Sequence, residues 1–203
     1  MPRTARKIAP HYPHLITQYG NRGIEVFKTA EDYTFYLETL LNQAERYSVH
    51  FKSYCLLPNQ VALLAVPDDK DGLALCLREA HRLYTKYVNE SEGCTGHLWH
   101  GRFASFPMED GYARKATSFI ENKPVRAGIV KEPHHYRWSS AKYHIGRKEF
   151  DPLLTPQESK AQTRTNWDIY LKENCHSEND NAVRLFKKHE KSGLPLTKLS
   201  TAI

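Results

Sequence analysis

Between residues 48 and 66, two largely apolar segments are separated by a single Pro-Asn pair. The first is Ser48–Leu57 and the second is Gln60–Val66, and each has the length of a β-strand. Proline presets the backbone for a tight turn and asparagine tolerates the backbone angles that such turns need, so Pro58-Asn59 predicts a β-hairpin. The chain is therefore expected to contain an antiparallel sheet.

Predicted strands and helices alternate on both sides of this hairpin. A strand at His14–Tyr19 ends in the turn Gly20-Asn21-Arg22-Gly23, and Arg102–Met108 reads as a short fourth strand. Apolar residues spaced three or four apart predict helices that begin at Thr29, Gly72 and Glu109 and end near Ala44, Asn89 and Asn122. The order is strand, helix, strand, strand, helix, strand, helix. It predicts an α+β fold in which helices cover one face of an antiparallel sheet.

The composition changes from Asp151 onward. Pro152 and Pro156 mark the change, and the residues that follow are largely polar. Helices are predicted near Trp167–Glu173 and Asn181–Lys191. We therefore expect one domain over residues 1–150 and a helical C-terminal extension over residues 151–203.

Charge and cysteine usage limit the class of partner. The net charge is +6 and the pI is near 9.1, which favours anionic partners such as nucleic acid. The four cysteines show no C-x-x-C spacing, so reduced thiols are expected rather than a zinc ribbon or a disulfide framework. No apolar run approaches the roughly 20 residues of a membrane span, and Arg3, Arg6 and Lys7 are not followed by the apolar segment of a signal peptide. These features predict a cytoplasmic protein with no membrane partner.

Six stretches, taken in order, carry a resemblance to a known family. They are Pro10–Arg22, Pro58–Leu64, Tyr84–Asn89, Gly96–Phe103, Asn122–Val130 and Tyr136–Ala141. Over about residues 2–150 they resemble the REP-associated tyrosine transposases, bacterial single-tyrosine transposases of the HUH superfamily. The most specific are Asn-Lys-Pro-Val-Arg-Ala-Gly from Asn122, similar to the family's Asn-Pro-Val-Arg-Ala-Gly signature, and the Trp-Ser-Ser element from Trp138. Lys187–Leu196 also resembles the family's C-terminal helix and its Gly-x-Pro-Leu ending.

The resemblance implies both a fold and a reaction. The fold would be a ferredoxin-like antiparallel sheet with packed helices, followed by a helical tail. The reaction would be DNA transposition, in which a tyrosine attacks the phosphorus of single-stranded DNA while magnesium or manganese polarises the phosphate. The implied partner is single-stranded DNA folded into a hairpin, and the family occurs as monomers and homodimers.

This chain departs from the family at the four positions that the chemistry needs. Two metal-binding histidines of the family correspond to Gln60 and Ala62, and the third metal ligand, an asparagine, corresponds to Lys123. The nucleophilic tyrosine corresponds to Phe119, which has no hydroxyl group. An ammonium has no lone pair for a metal, so Lys123 cannot act as a ligand. We therefore expect no catalytic cofactor and a DNA-binding relative without cleavage activity, in effect a pseudoenzyme.

Several alternatives stay open at this point. The chain could be an active transposase that uses nonstandard residues or a partner subunit, or a deliberately disabled variant. Tyr112 could replace the missing nucleophile, but it precedes Phe119 by seven residues, which is about 10 Å along a helix. His97 and His100 form an H-x-x-H pattern that suggests either a metal site or a structural role. Lys123 would either neutralise a DNA phosphate or be a solvated lysine at a helix end.

Basic residues suited to DNA contact occur along the domain. The candidates are Arg3, Arg6, Lys7, Arg22, Arg82, Lys86, Arg102, Lys123 and Arg126. Aromatic residues interleave with them and are expected to stack on bases, namely Tyr12, Tyr19, Tyr84, Trp99 and Phe103.

Overall fold

Four antiparallel strands form the sheet of the computed structural model, which describes residues 7–154, 161–175 and 181–196. The strands are β1 (His14–Tyr19), β2 (Val49–Leu57), β3 (Gln60–Pro67) and β4 (Ala104–Pro107). Their spatial order is β2-β3-β1-β4, which is the order of a ferredoxin-like fold. The predicted fold class is therefore confirmed. The predicted hairpin is also present, with Leu57 opposite Gln60 across its turn.

Seven α-helices connect and cover the strands in the described part of the chain. They are α1 (Ala30–Arg46), α2 (Gly72–Glu92), α3 (Asp110–Glu121), α4 (Lys123–Arg126), α5 (Ala141–His144), α6 (Ala161–Glu173) and α7 (Asn181–Ser192). The start of α1 is fixed by a capping box, in which Thr29 and Asp32 each accept a hydrogen bond from the other's backbone N–H. None of the helices described here is long and apolar enough to cross a membrane.

Helices cover both faces of the sheet, because side chains alternate along β3. Val61, Leu63 and Ala65 join the apolar cluster that α1 and α2 complete. Ala62 and Leu64 face the other way and join the cluster formed with α3 and α7. The expectation that helices cover one face is therefore wrong. The second cover forms because α7 places the fully buried Phe186 against the sheet.

A buried carboxyl group connects α3 to the segments that follow it. Glu121 is fully buried at the end of α3. Its Oε1 lies 2.5 Å from both Ser140 Oγ and His144 Nδ1, and its Oε2 accepts a hydrogen bond of 2.9 Å from Trp167 Nε1 in α6. The neighbouring Asn122 donates from Nδ2 to the carbonyl oxygen of Leu171 at 3.1 Å. The first helix of the extension is thereby fixed to the end of α3.

Candidate nucleic-acid interface

The sheet face beneath α3 and α7 contains the strand positions that were predicted to correspond to the family's metal-binding histidines. Ala62 of β3 is fully buried there and pairs with Cys55 on the neighbouring strand β2. Gln60 lies two residues earlier in β3 and therefore on the same face, where it pairs with Tyr19 of β1. Burial raises the pKa of the Cys55 thiol to about 12, so this thiol is an inert part of the core.

Phe119 packs into this same face as a core residue. Its ring belongs to one apolar cluster with Ala62 and lies 5.2 Å, centroid to centroid, from the ring of Phe186 in α7. The guanidinium carbon of Arg126 lies 4.7 Å from the centre of the Phe119 ring, and Lys123 Nζ lies 5.0 Å from it. Arg126 also donates a hydrogen bond to the backbone carbonyl of Phe119. The structure thus brings Ala62, Phe119 and Lys123 together, with Gln60 on the same side of the sheet.

Lys123 is partly buried at the start of α4 rather than fully solvated. Removal from water lowers the pKa of its ammonium to about 8, and the nearby cations Arg126 and Lys187 act in the same direction. Glu190 of α7 opposes this shift by favouring the charged form. The role of Lys123 as a phosphate contact stays a prediction.

The side chains around Phe119 do not fit a divalent metal ion. Ala62 offers no donor atom, and the ammonium of Lys123 would repel a cation. Gln60 contributes one amide, whose buried Nε2 has no hydrogen-bond partner in the described part of the chain. Magnesium is usually held by one or two carboxylates together with water molecules, and the neutral amide of Gln60 supplies no charged ligand. No catalytic step through a metal follows from these residues.

Two tyrosines lie near this region, and both are poorly placed as nucleophiles. The Tyr19 hydroxyl donates to Glu190 Oε1 at 2.8 Å, and burial together with the charge of Glu190 raises the pKa of Tyr19 above its ordinary value. Tyr112 and Phe119 line one cavity of about 270 Å³ between α3, α6 and α7. The two residues are nevertheless two helical turns apart, about 10 Å along α3. Tyr112 therefore does not occupy the position of Phe119.

A basic groove lies on a different side of the domain, between α2 and residues 94–102. Its volume is about 960 Å³. The side chains that line it include four cations, Arg78, Arg82, Lys86 and Arg102, and one carboxylate, Glu90. Glu79, beside the groove, pairs with Arg78 and Arg82, and Glu90 pairs with Lys86. Arg78, Arg82 and Lys86 recur every four residues along α2 and form one stripe on its surface. This spacing is visible in the sequence and places Arg78 on the same stripe as the predicted contacts Arg82 and Lys86.

Backbone hydrogen bonds hold the far wall of this basic groove against the end of β1. The Asn21 N–H donates to the Leu98 carbonyl at 2.8 Å, and the His100 N–H donates to the Tyr19 carbonyl at 2.8 Å. The turn between them needs glycine, because a Cβ atom on Gly20 would lie 2.2 Å from the Ile24 carbonyl oxygen. The groove is thus built on a fixed part of the sheet.

The other predicted contact residues fall at separate places. Lys7 and Arg22 are exposed, and Arg22 follows Asn21, which lines the basic groove. Lys123 and Arg126 lie beside Phe119 on the opposite face of the sheet, and Arg3 and Arg6 lie outside the described residues.

Three of the aromatic residues expected to stack on bases belong to the core instead. Tyr84, Trp99 and Phe103 are buried in the cluster between the sheet and α2, so the expectation is wrong for them. Tyr12 and Tyr19 remain partly exposed. His97 and His100 are exposed and are not part of the one group of potential metal ligands found among the described residues.

Comparison with solved structures identifies the fold. A structure of a REP-associated tyrosine transposase bound to a REP hairpin matches with a TM-score of 0.62, at 15% sequence identity, over 80% of this chain and 96% of that one. The chain has the fold of the REP-associated tyrosine transposases. A candidate transposase from Deinococcus radiodurans R1 matches with a TM-score of 0.41, at 14% identity, over 60% of this chain and 98% of that one. No family model and no curated protein matches the sequence.

Within this transposase fold, the lowered pKa of Lys123 predicts a measurable pH dependence. Between pH 8 and 10.5 the unfolded chain binds more protons at this lysine than the native chain does, so the free energy of unfolding rises with pH in that range. Lys123→Met should remove this rise and stabilise the protein at pH 7 by about 1–2 kcal/mol, allowing for partial solvent exposure. Urea unfolding of both proteins across this range tests it. Lys131→Met, which changes an exposed lysine, should behave as the parent protein does; an unchanged pH slope in Lys123→Met contradicts the prediction.

Proposed function

We propose that this protein binds single-stranded DNA folded into a hairpin and does not cleave it. The observation that carries the proposal is the basic groove between α2 and residues 94–102. Three of its four cationic side chains, Arg78, Arg82 and Lys86, are spaced along some 12 Å of the α2 surface, since eight residues of α-helix span that length. Phosphates of a nucleic-acid backbone would be neutralised by such a stripe. The REP hairpin bound to the transposase of the same fold supports this ligand class.

The filled face beneath α3 and α7 supports the proposed absence of cleavage. A phosphotyrosine linkage needs a hydroxyl group where Phe119 packs against Phe186. Ala62 and Lys123 contribute no metal ligand beside it. Restoring cleavage would require several substitutions together, because the nucleophile and the metal ligands are altered at once.

We further place this function in the bacterial cytoplasm, where the DNA ligand is present and the four free thiols stay reduced. Residues 1–150 would act as the DNA-binding unit, in a monomer or a homodimer.

A combined binding and cleavage assay tests the proposal. The full-length protein is mixed with end-labelled hairpin DNA in magnesium or manganese, and mobility shift and strand cleavage are measured on the same samples. We expect a shifted complex with the hairpin, weaker binding to an unstructured strand of equal length, and neither shortened DNA nor a covalent adduct. Equal binding of both strands would contradict hairpin recognition, and a denaturant-resistant adduct would overturn the absence of cleavage.

An active transposase with a substitute nucleophile is the second candidate, and it rests on Tyr112 in the cavity beside Phe119. If Tyr112 is the nucleophile, the parent protein cleaves the DNA and Tyr112→Phe does not. A variant that carries Gln60→His, Ala62→His, Phe119→Tyr and Lys123→Asn provides the positive control. Cleavage by this variant alone would show that the scaffold accepts the reaction and that the parent lacks only the reacting groups.

A further inference from the structure

A compact group of metal-binding side chains lies in the turn before α5, away from the basic groove. Glu132, His134 and His135 come from four consecutive residues, and Pro133 begins the short 3₁₀ turn that contains both histidines. One potential ligand atom from each of the three side chains lies within 4.8 Å of the others. Neither the transposase resemblance nor the basic groove involves these residues.

One ring nitrogen of the buried histidine in this group lacks a hydrogen-bond partner among the described residues. His134 is only 3% exposed, and its Nδ1 has no such partner among the described residues. Its Nε2 lies 3.3 Å from Glu132 Oε2, and its Nδ1 faces Asp168 Oδ1 of α6 at 3.8 Å. Leaving a buried imidazole nitrogen without a partner costs about 1–3 kcal/mol. A cation bound at Nε2 would fix the ring proton on Nδ1, where Asp168 is the available acceptor.

We propose that Glu132, His134 and His135 bind one zinc ion, with Asp168 orienting His134. Tetrahedral zinc with bonds of about 2.0–2.1 Å holds its ligand atoms about 3.3 Å apart, which matches the separation between His134 Nε2 and Glu132 Oε2. Two imidazoles and a carboxylate suit zinc better than magnesium, which prefers oxygen ligands alone. A water molecule would complete the shell.

Asp168 gives the site its support from a second element. A zinc-bound histidine usually donates its other ring N–H to a carboxylate, and His134 Nδ1 already faces Asp168. That hydrogen bond forms if the distance between His134 Nδ1 and Asp168 Oδ1 shortens slightly from 3.8 Å. Because Asp168 follows Trp167, which is bonded to Glu121, bound zinc would fasten α6 to the domain beside an existing attachment.

A lysine competes with the ion for the same carboxylates. Lys172 Nζ lies 3.1 Å from Asp168 Oδ2 and 4.0 Å from Glu132 Oε2. Its side chain is about half exposed, at 49%, so it is free to move toward solvent when an ion binds. We therefore expect removal of this cation to strengthen zinc binding.

Zinc titration of the full chain tests the proposal. Protein freed of metal with a chelator is titrated with zinc chloride in competition with a chromophoric chelator. We expect one high-affinity ion per chain, at least about tenfold weaker binding in Glu132→Gln and His135→Gln, about tenfold weaker binding in Asp168→Asn, and tighter binding in Lys172→Met. These positions are partly exposed or at the surface, so the variants should fold; His134→Gln is avoided because its ring is buried.

A matched control comes from a second histidine–carboxylate pair. His50 Nε2 lies 3.1 Å from Asp68 Oδ2, but this pair is not part of any described three-residue ligand group. His50→Gln should leave zinc affinity unchanged. The proposal is overturned if the parent protein binds no zinc at micromolar concentrations, if Glu132→Gln and His135→Gln bind it as the parent does, or if His50→Gln weakens binding as much as they do. None of these results affects the hairpin assay, since the site and the basic groove share no residues.

Discussion

A protein with Arg82, Lys86 and Arg102 all changed to glutamine is expected to bind hairpin DNA about 100-fold more weakly at roughly 0.1 M salt. The three side chains line one basic groove, so each can meet a phosphate of the same ligand. Each lost phosphate contact should also lower the slope of log affinity against log salt by about 0.7–0.9, or by about 2–3 for the set. Binding titrations at several salt concentrations measure both quantities.

The matched control changes Arg46, Lys70 and Lys131 to glutamine. These residues are exposed, they do not line the basic groove, and the change in net charge is the same. This control separates a local groove from a general attraction between a basic protein and DNA, which net charge alone would produce. If both triple variants lose affinity equally, the groove is not the binding surface. If neither loses affinity, DNA is bound elsewhere, and the cations beside Phe119 become the next candidates.

Local sequence signals were sufficient for the individual strands and helices, whereas the strand order in the sheet was implied only by the family resemblance. These signals come from residues that are close together in the chain. The structure has the predicted turn at Pro58-Asn59, and α1 and α2 lie close to their predicted bounds. Tyr84 also falls on the apolar spacing of α2, four residues after Ala80, and its full burial agrees with that spacing. Its expected role in base stacking came from residue type alone and was wrong.

Long-range packing could not be predicted from the sequence. Helix α7 is largely polar, and nothing near Phe186 in the chain indicates that its ring will meet Phe106 and Phe119 on the sheet. The group at Glu132 illustrates the same limit, because Asp168 approaches His134 only after α6 has packed. Contacts between distant segments depend on how all the covering elements fit together, so short sequence patterns do not specify them.

Replacing Glu121 with alanine is expected to destabilise the protein by about 3–5 kcal/mol. The change removes the shared partner of Ser140, His144 and Trp167 at a fully buried position. A buried polar group left without a partner costs about 1–3 kcal/mol, and the missing carboxyl also leaves a cavity. For a chain of this length the loss corresponds to a fall in the melting temperature of roughly 10 °C. Thermal and urea unfolding measure it.

The position of Glu121 predicts where the structure should loosen first. Trp167 is the contact that α6 makes with this carboxyl, so hydrogen exchange in residues 161–173 should quicken more than exchange in β1 and β3. Glu121→Gln keeps the shape and one acceptor and should retain part of the lost stability, whereas Glu45→Ala on the exposed side of α1 should change it by less than about 0.5 kcal/mol. A loss under 1 kcal/mol in Glu121→Ala, or uniform exchange across the sheet and α6, would show that α6 is held by other contacts. Attachment through Glu121 would then be secondary to the apolar packing of Trp167 and Leu171.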